Sequence, residues 1–82
     1  MNLVLLTRQD CELCAQFQHE LAHWAKGDSL LELRVQDVDA DPDQRRRYGL
    51  RVPVLLLDGA LVCATRFDAA ALERLLRPRG PA

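Results

Sequence analysis

The chain lacks an apolar segment long enough to cross a bilayer. Its longest apolar stretch, Val52 to Leu57, is far shorter than the roughly 18 residues that suggest a spanning helix. The amino terminus also lacks a basic region, and the apolar run from Leu3 to Leu6 is too short for the core of a signal peptide. We therefore expect a cytoplasmic protein that has no membrane partner.

The chain has no excess of charge of either sign. Its 11 Lys and Arg residues against 12 Asp and Glu residues leave a formal net charge of -1, so long-range electrostatics does not favour nucleic acid. With 82 residues there is no room for a second core, and we expect a monomer with one domain over residues 1–78 and a frayed tail over residues 79–82.

The chain has too few cysteines for a disulfide scaffold. In a reducing compartment, 3 cysteines do not form a disulfide framework; this odd count with one close pair indicates a redox or metal pair and one further thiol.

The spacing of apolar residues predicts four strands and three helices in the order β-α-β-α-β-β-α. Residues 3–6 form a continuous apolar run, which is typical of a strand covered on both faces. Residues 11–26 have helical spacing, with Gly27 as a C-terminal cap, and residues 31–36 alternate like an edge strand. The apolar face of the first helix consists of Leu13, Phe17, Leu21 and Trp24.

Turn and capping residues mark the elements of the second half. Asp41 and Gly49 bracket a short helix over residues 42–48. Asp58-Gly59 is a hairpin signal between strands at residues 52–57 and 60–64. Asp68 can cap a last helix, which Pro78 ends and whose apolar face consists of Leu72, Leu75 and Leu76. A right-handed crossover should make the first two strands parallel, and the closing hairpin is antiparallel.

The tetrapeptide Cys11-Glu12-Leu13-Cys14 lies where the first strand gives way to the first helix. A cysteine at a helix start meets unpaired backbone N–H groups and the helix dipole, which favour a thiolate. We predict that Cys11 attacks a disulfide and that Cys14 resolves the mixed disulfide. Asp10 and Glu12 should raise the pKa of Cys11, and Arg8 should oppose them.

Other candidate sites are weaker. His19 and His23 lie one helical turn apart, but His19 points away from Cys14 around the helix, so we predict no metal site. Strict alternation would place Cys63 on one strand face with Leu61 and Thr65, in a packing role. The arginines at residues 45–47 are expected to be a solvated helix end.

Three segments carry a resemblance to a known family. They are the C-x-x-C after the first strand, the run Asp37-Val38-Asp39-Ala40-Asp41-Pro42, and the run Tyr48-Gly49-Leu50-Arg51-Val52-Pro53. Together they resemble the glutaredoxin branch of the thioredoxin superfamily. More narrowly, the chain is similar to small bacterial glutaredoxin-like proteins whose third helix opens with Arg-Phe-Asp, here Arg66-Phe67-Asp68.

This resemblance implies an α/β, thioredoxin-like fold in which a four-stranded mixed sheet is flanked by three helices. It implies a thiol-disulfide oxidoreductase whose partners are a protein or small-molecule disulfide and a cellular reductant. It also implies a cis peptide bond between Val52 and Pro53, lying against the redox pair. The implied substrate-binding residues are Val52, Pro53, Arg66, Phe67 and Asp68.

Two departures from the glutaredoxin pattern bear on the substrate. Glu12-Leu13 replaces the usual Pro-Tyr between the cysteines, and Cys63-Ala64-Thr65 stands where paired glycines usually let the backbone approach glutathione. We therefore expect weak glutathione binding and no cofactor. A non-enzymatic binding module remains the alternative function, either an iron-sulfur cluster carrier or a redox-silent adaptor.

Overall fold

The strands and helices follow one another in the predicted order. The computed structural model describes residues 2–25 and 32–76, so Gly27, Pro78 and the tail at residues 79–82 lie outside the described residues. A 3-10 turn that the sequence did not predict, Val38–Ala40, follows the second strand. The elements are β1 (Asn2–Thr7), α1 (Glu12–Trp24), β2 (Glu32–Asp37), α2 (Pro42–Tyr48), β3 (Val54–Leu57), β4 (Ala60–Ala64) and α3 (Ala69–Leu76).

The strands form one four-stranded mixed sheet in the order β2-β1-β3-β4. β1 pairs with β2 in parallel and with β3 antiparallel, and β3 pairs with β4 antiparallel. Both predicted orientations are therefore confirmed, and β2 lies at the sheet edge as its alternating pattern indicates. The continuous apolar run of β1 is explained by the two core clusters that cover both faces of the strand.

Alternate residues of β1 supply two core clusters on opposite faces of the sheet. Leu3 and Leu5 pack in the cluster that contains Phe17 and Leu21 of α1, and Leu72 of α3. On the other face, the cluster of Leu6, Val38, Val54 and Leu56 packs against Tyr48 of α2. α1 and α3 therefore cover one face, and α2 covers the other. Each fully buried leucine contributes about 1.5–3 kcal/mol relative to an exposed one.

The apolar face of α1 differs from the prediction at its first turn. Leu13 is 45% exposed, whereas Cys14 is 3% exposed and faces the core with Phe17 and Leu21. Leu13 lies at the margin of the apolar arc, so Cys14 takes the position towards the sheet. Leu75 likewise lies at the margin of the apolar arc of α3, and it is 49% exposed. Within the described ranges, no helix combines the length and apolar character needed to span a membrane.

An extra residue in β4 overturns the predicted side-chain alternation. Leu56 pairs with Leu61, but Leu55 pairs with Cys63, so Val62 is inserted as a bulge. Because one extra residue shifts the two-residue period, Leu61 and Cys63 lie on opposite faces, and the prediction of a shared face is wrong. Val62 and Cys63 both pack against the cluster under α1 and α3.

The caps of α2 and the β3–β4 turn are present as predicted. Asp41 Oδ1 accepts the backbone N–H of Asp43 at 2.8 Å at the start of α2, and Gly49 is the residue that ends this helix. In the β3–β4 hairpin, Asp58 and Gly59 have φ values of 49° and 88°, as a tight hairpin turn requires.

The third strand is shorter than predicted. β3 begins at Val54, whereas the sequence placed its start at Val52. Pro53 has no N–H to donate to a sheet, so it lies in the connection before the strand.

Candidate functional site

Cys11 is the N-cap residue of α1. It has an extended backbone, with φ -109° and ψ 105°, and its Sγ accepts the backbone N–H of Cys14 at 3.0 Å. Its carbonyl oxygen accepts the N–H of Ala15 at 3.1 Å, the first hydrogen bond of the helix. Asp10, with φ 57°, turns the chain from the end of β1 into this position. The sulfur thus receives an N–H group that the helix leaves unpaired, which favours negative charge on it.

Cys11 and Cys14 are joined in a disulfide, with their Cα atoms 5.1 Å apart. This separation lies within the limit of about 7 Å that a disulfide allows. The two residues differ in access, because Cys14 is 3% exposed and Cys11 is only partly buried. Cys11 is therefore the more accessible residue of the pair.

Arg8 is paired with a residue that the sequence did not single out. Its Nε and Nη2 donate to Asp39 Oδ2 and Oδ1 at 3.0 and 2.9 Å, and its Nη1 donates to the carbonyl of Gly49 at 2.9 Å. The hydrogen bond between them raises the pKa of Arg8 and lowers that of Asp39. Asp39 is 31 residues away, and no pattern within a single sequence signals such a contact.

Asp10 and Glu12 are both exposed beside Cys11, so the predicted acidic neighbours are present. Their effect on the pKa of Cys11 stays a prediction. The effect of Arg8 on the pKa of Cys11 also stays a prediction, and Asp39 offsets the charge of Arg8.

The loop before β3 is bound to the connection between β4 and α3. The peptide bond between Val52 and Pro53 is cis, and the Pro53 carbonyl accepts the backbone N–H of Thr65 at 2.7 Å. Thr65 Oγ1 also donates to the carbonyl of Arg51 at 3.4 Å. Thr65 has a φ of 73°, a conformation that glycine adopts readily and β-branched residues rarely adopt.

A groove of about 270 Å³ runs between α1 and the β4–α3 connection. Arg66 and Phe67, two of the predicted substrate-binding residues, line it. Phe67 packs edge-to-face on Phe17 and Trp24, with ring centroids 5.5 and 6.2 Å apart. The complete lining is Leu13, Gln16, Phe17, Glu20, Thr65, Arg66 and Phe67.

Asp68 does not line this groove. Its Oδ1 accepts the N–H of Ala71 at 3.1 Å, so it caps α3 as the sequence predicts. Its role in substrate binding stays a prediction, as do the roles of Val52, Pro53, Arg66 and Phe67.

The third cysteine is set apart from the pair by its environment. Burial raises the pKa of the Cys63 thiol, as does the charge of Asp68, while a hydrogen bond from the Asp68 backbone opposes them. Such a thiol is a weak nucleophile at neutral pH, in keeping with the predicted packing role.

Among residues 2–25 and 32–76, no three His, Cys, Asp or Glu side chains converge as a metal-binding group. His19 and His23 are both exposed on α1.

The mixed sheet, its three helices and the cysteine pair at the start of α1 define a small thioredoxin-like domain with a disulfide-forming C-x-x-C. The model of the glutaredoxin-like domain family (DUF836) matches residues 2–77, and the chain belongs to this family. Family and cysteine geometry together fit a redox role.

Two solved structures resemble the chain over nearly its whole length. The solution NMR structure of protein Ne2328 from Nitrosomonas europaea has a TM-score of 0.79 and 29% identity, over 93% of this chain and 91% of that chain. The X-ray structure of protein XcR50 from X. campestris has a TM-score of 0.64 and 33% identity, over 90% of this chain and 93% of that chain. No curated protein matches the chain.

Proposed function

We propose that this protein is a thiol-disulfide oxidoreductase in which Cys11 is the nucleophile and Cys14 is the resolving thiol. The observation that supports this most directly is the unequal environment of the pair. Cys11 Sγ lies at the amino end of α1 and accepts an N–H group at 3.0 Å, whereas Cys14 is 3% exposed. One sulfur is accessible and set to carry negative charge, and the other is shielded.

The first step begins from the reduced protein. The Cys11 thiolate attacks one sulfur of a substrate disulfide, a new S–S bond forms, and the substrate's own S–S bond breaks. The released substrate thiolate takes a proton from solvent, and the remaining half of the substrate stays on Cys11 as a mixed disulfide. The N–H of Cys14 that bonds to Cys11 Sγ stabilises the charge of the attacking thiolate.

In the second step Cys14 loses its proton and attacks Cys11 Sγ. The Cys11–Cys14 disulfide forms, the mixed disulfide breaks, and the second substrate thiol leaves, so that two electrons have passed to the substrate. A cellular dithiol reductant then reverses these exchanges and restores both thiols. We propose that this cycle runs in the cytoplasm, in a monomer that needs no bound cofactor.

The groove between α1 and the β4–α3 connection, which Leu13 of the C-x-x-C lines, supports a protein disulfide as substrate in preference to glutathione. Its wall carries Thr65 at the positive-φ position, where a glycine would leave the backbone open to a ligand. Leu13 and Phe67 give the groove an apolar side, and Arg66 and Glu20 add charge of both signs. An extended polypeptide could place its cysteine at Cys11 and a neighbouring side chain in this groove.

The test is reduction of the insulin disulfides by a dithiol reductant, with and without the protein. We expect the protein to accelerate the reaction, Cys11→Ser to abolish the acceleration, and Cys14→Ser to lose turnover. Cys63→Ser is the matched control and should keep full activity. Activity in Cys11→Ser equal to that of the unmodified protein would contradict the proposal, and visible absorption of the purified protein with no turnover would favour the cluster carrier.

A further inference from the structure

Arg8 connects three segments that are distant in the sequence. It lies in the connection from β1 to Cys11, and its guanidinium bonds to Asp39, 31 residues away, and to Gly49, 41 residues away. Asp39 belongs to the 3-10 turn after β2, and Gly49 ends α2. A single side chain therefore joins the loop of the nucleophile to the 3-10 turn and to the end of α2.

The contact uses the planar geometry of the guanidinium. Two nitrogens bind the two carboxylate oxygens of Asp39, and the third binds the Gly49 carbonyl, all at 2.9–3.0 Å. Lysine cannot reproduce this set of bonds, because its charge is a single ammonium group. A Cβ at Gly49 would clash first with the carbonyl oxygen of Arg45, and it would also lie 3.1 Å from Arg8 Nη2.

One end of this contact leads to the proposed nucleophile, and the other leads to the loop that the family resemblance implies as substrate-binding. From Arg8 the chain reaches Cys11 within three residues, and from Gly49 it reaches Val52 and Pro53 within four. The carboxylate of Asp39, 2.9 Å from Nη2, offsets the charge of Arg8. The contact can therefore fix the relative position of the two loops while presenting little net charge to Cys11.

We infer that Arg8 is a positioning residue, which sets the Cys11 loop against the Val52–Pro53 loop through its bonds to Asp39 and Gly49. This inference rests on the proposed thiol-disulfide exchange at Cys11. When the contact is lost, a disulfide bound along the Val52–Pro53 loop is no longer aligned with Cys11 Sγ. Misplacement of a reacting group by about 1 Å can lower a rate about a hundredfold, so we expect a loss of about tenfold or more.

Two variants separate positioning from the effect of charge. Arg8→Ala removes a positive charge and Asp39→Asn removes a negative one, so a charge effect would shift the pKa of Cys11 in opposite directions. Positioning predicts that both variants slow the reaction of Cys11 with a protein disulfide. Arg8→Lys keeps the positive charge but loses the planar guanidinium, and it should also slow the reaction of Cys11 with a protein disulfide.

The main measurement is the rate constant with which each reduced variant reacts with a protein disulfide. The rate of alkylation by iodoacetamide and the pKa of Cys11 are measured for the same variants. We expect the protein-disulfide rate to fall at least about tenfold in all three variants, while alkylation at equal thiolate fraction is unchanged, because the small reagent needs no alignment. Asp43→Asn is the matched control, since Asp43 pairs with Arg46 and Arg47 on the exposed side of α2, and its rates should not change.

Opposite shifts in the pKa of Cys11, with full activity in Arg8→Lys, would overturn the inference in favour of a charge effect. Unchanged protein-disulfide rates in all three variants would overturn it as well. If Arg8→Ala does not fold, the conservative Asp39→Asn and Arg8→Lys variants decide the question. Absence of any exchange in the unmodified protein would instead refute the proposed function, so the two failures are distinguishable.

Discussion

Replacing Glu12 with glutamine tests how the acidic residues beside the nucleophile set the redox properties of the pair. Glu12 is the exposed first residue of α1, and it directly follows Cys11. Its carboxylate disfavours a second negative charge on Cys11 Sγ, so it should raise the pKa of Cys11 and stabilise the disulfide relative to the dithiol. Glu12→Gln should therefore lower that pKa and raise the reduction potential.

The expected magnitude follows from the separation of the two groups. Side chains on consecutive residues, whose Cα atoms are about 3.8 Å apart, place these charges roughly 7 Å from each other. In a water-like dielectric this distance corresponds to about 0.6 kcal/mol, or about 0.4 pKa units. Physiological salt reduces the interaction to less than about half of that value. At about 30 mV per 1.4 kcal/mol, the potential should rise by about 5–13 mV.

The assay is a titration of the thiolate absorbance of both proteins at low ionic strength, followed by equilibration of each with a dithiol redox buffer. Glu20→Gln is the matched control, because it removes the same charge from α1 about two turns further along the helix. Because Glu20 lies about 13 Å along the helix from Cys11, we expect this control to shift both quantities by only about half as much as Glu12→Gln does at low salt. A Glu12→Gln protein with an unchanged pKa at low salt, or with a shift in the opposite direction, would refute this reasoning.

Three further predictions concern the scaffold. Thr65→Gly should raise the free energy of unfolding by about 0.5–1 kcal/mol, because glycine relieves the strain of the positive φ; a lower free energy of unfolding would contradict this. Calorimetry should also show that this variant binds glutathione more tightly. Because burial raises the pKa of Cys63, a variant lacking the redox pair should be alkylated slowly at neutral pH. The neutral Cys63 thiol should contribute to the free energy of unfolding below the pKa that it has in the unfolded chain. This contribution should be lost as the pH rises through the pKa that Cys63 has in the folded protein, and urea unfolding across that range measures the loss. Leu21→Ala should lose about 2–5 kcal/mol in the same assay, while the exposed Leu50→Ala stays within about 0.5 kcal/mol.

The elements of the fold could be predicted because their signals are local. Asp41 and Gly49 bracket α2 within eight residues of each other, and Asp58-Gly59 forms the hairpin turn from two adjacent residues. The apolar run of β1 indicated a strand covered on both faces, which requires only its own composition. The C-x-x-C likewise marked the start of α1, where the structure places Cys11 as the N-cap.

The errors have a different origin. The sequence placed Leu13 on the buried face because helical periodicity shows the apolar arc and not where the sheet lies beneath it. The bulge at Val62 was missed because an inserted residue leaves the local pattern apolar while it reverses the alternation. The contact between Arg8 and Asp39 depends on the packing of two loops, so it becomes visible only when the sheet is assembled.

The central claim, that Cys11 attacks and Cys14 resolves, is tested most directly by trapping the intermediate. The Cys14→Ser variant is mixed with a protein disulfide and analysed by intact mass, beside the Cys11→Ser variant, with Cys63 replaced by serine in both. The account predicts a stable mixed disulfide on Cys11 in the first variant and none in the second, where the remaining Cys14 is 3% exposed. Equal trapping in both variants, or trapping only in Cys11→Ser, would contradict it.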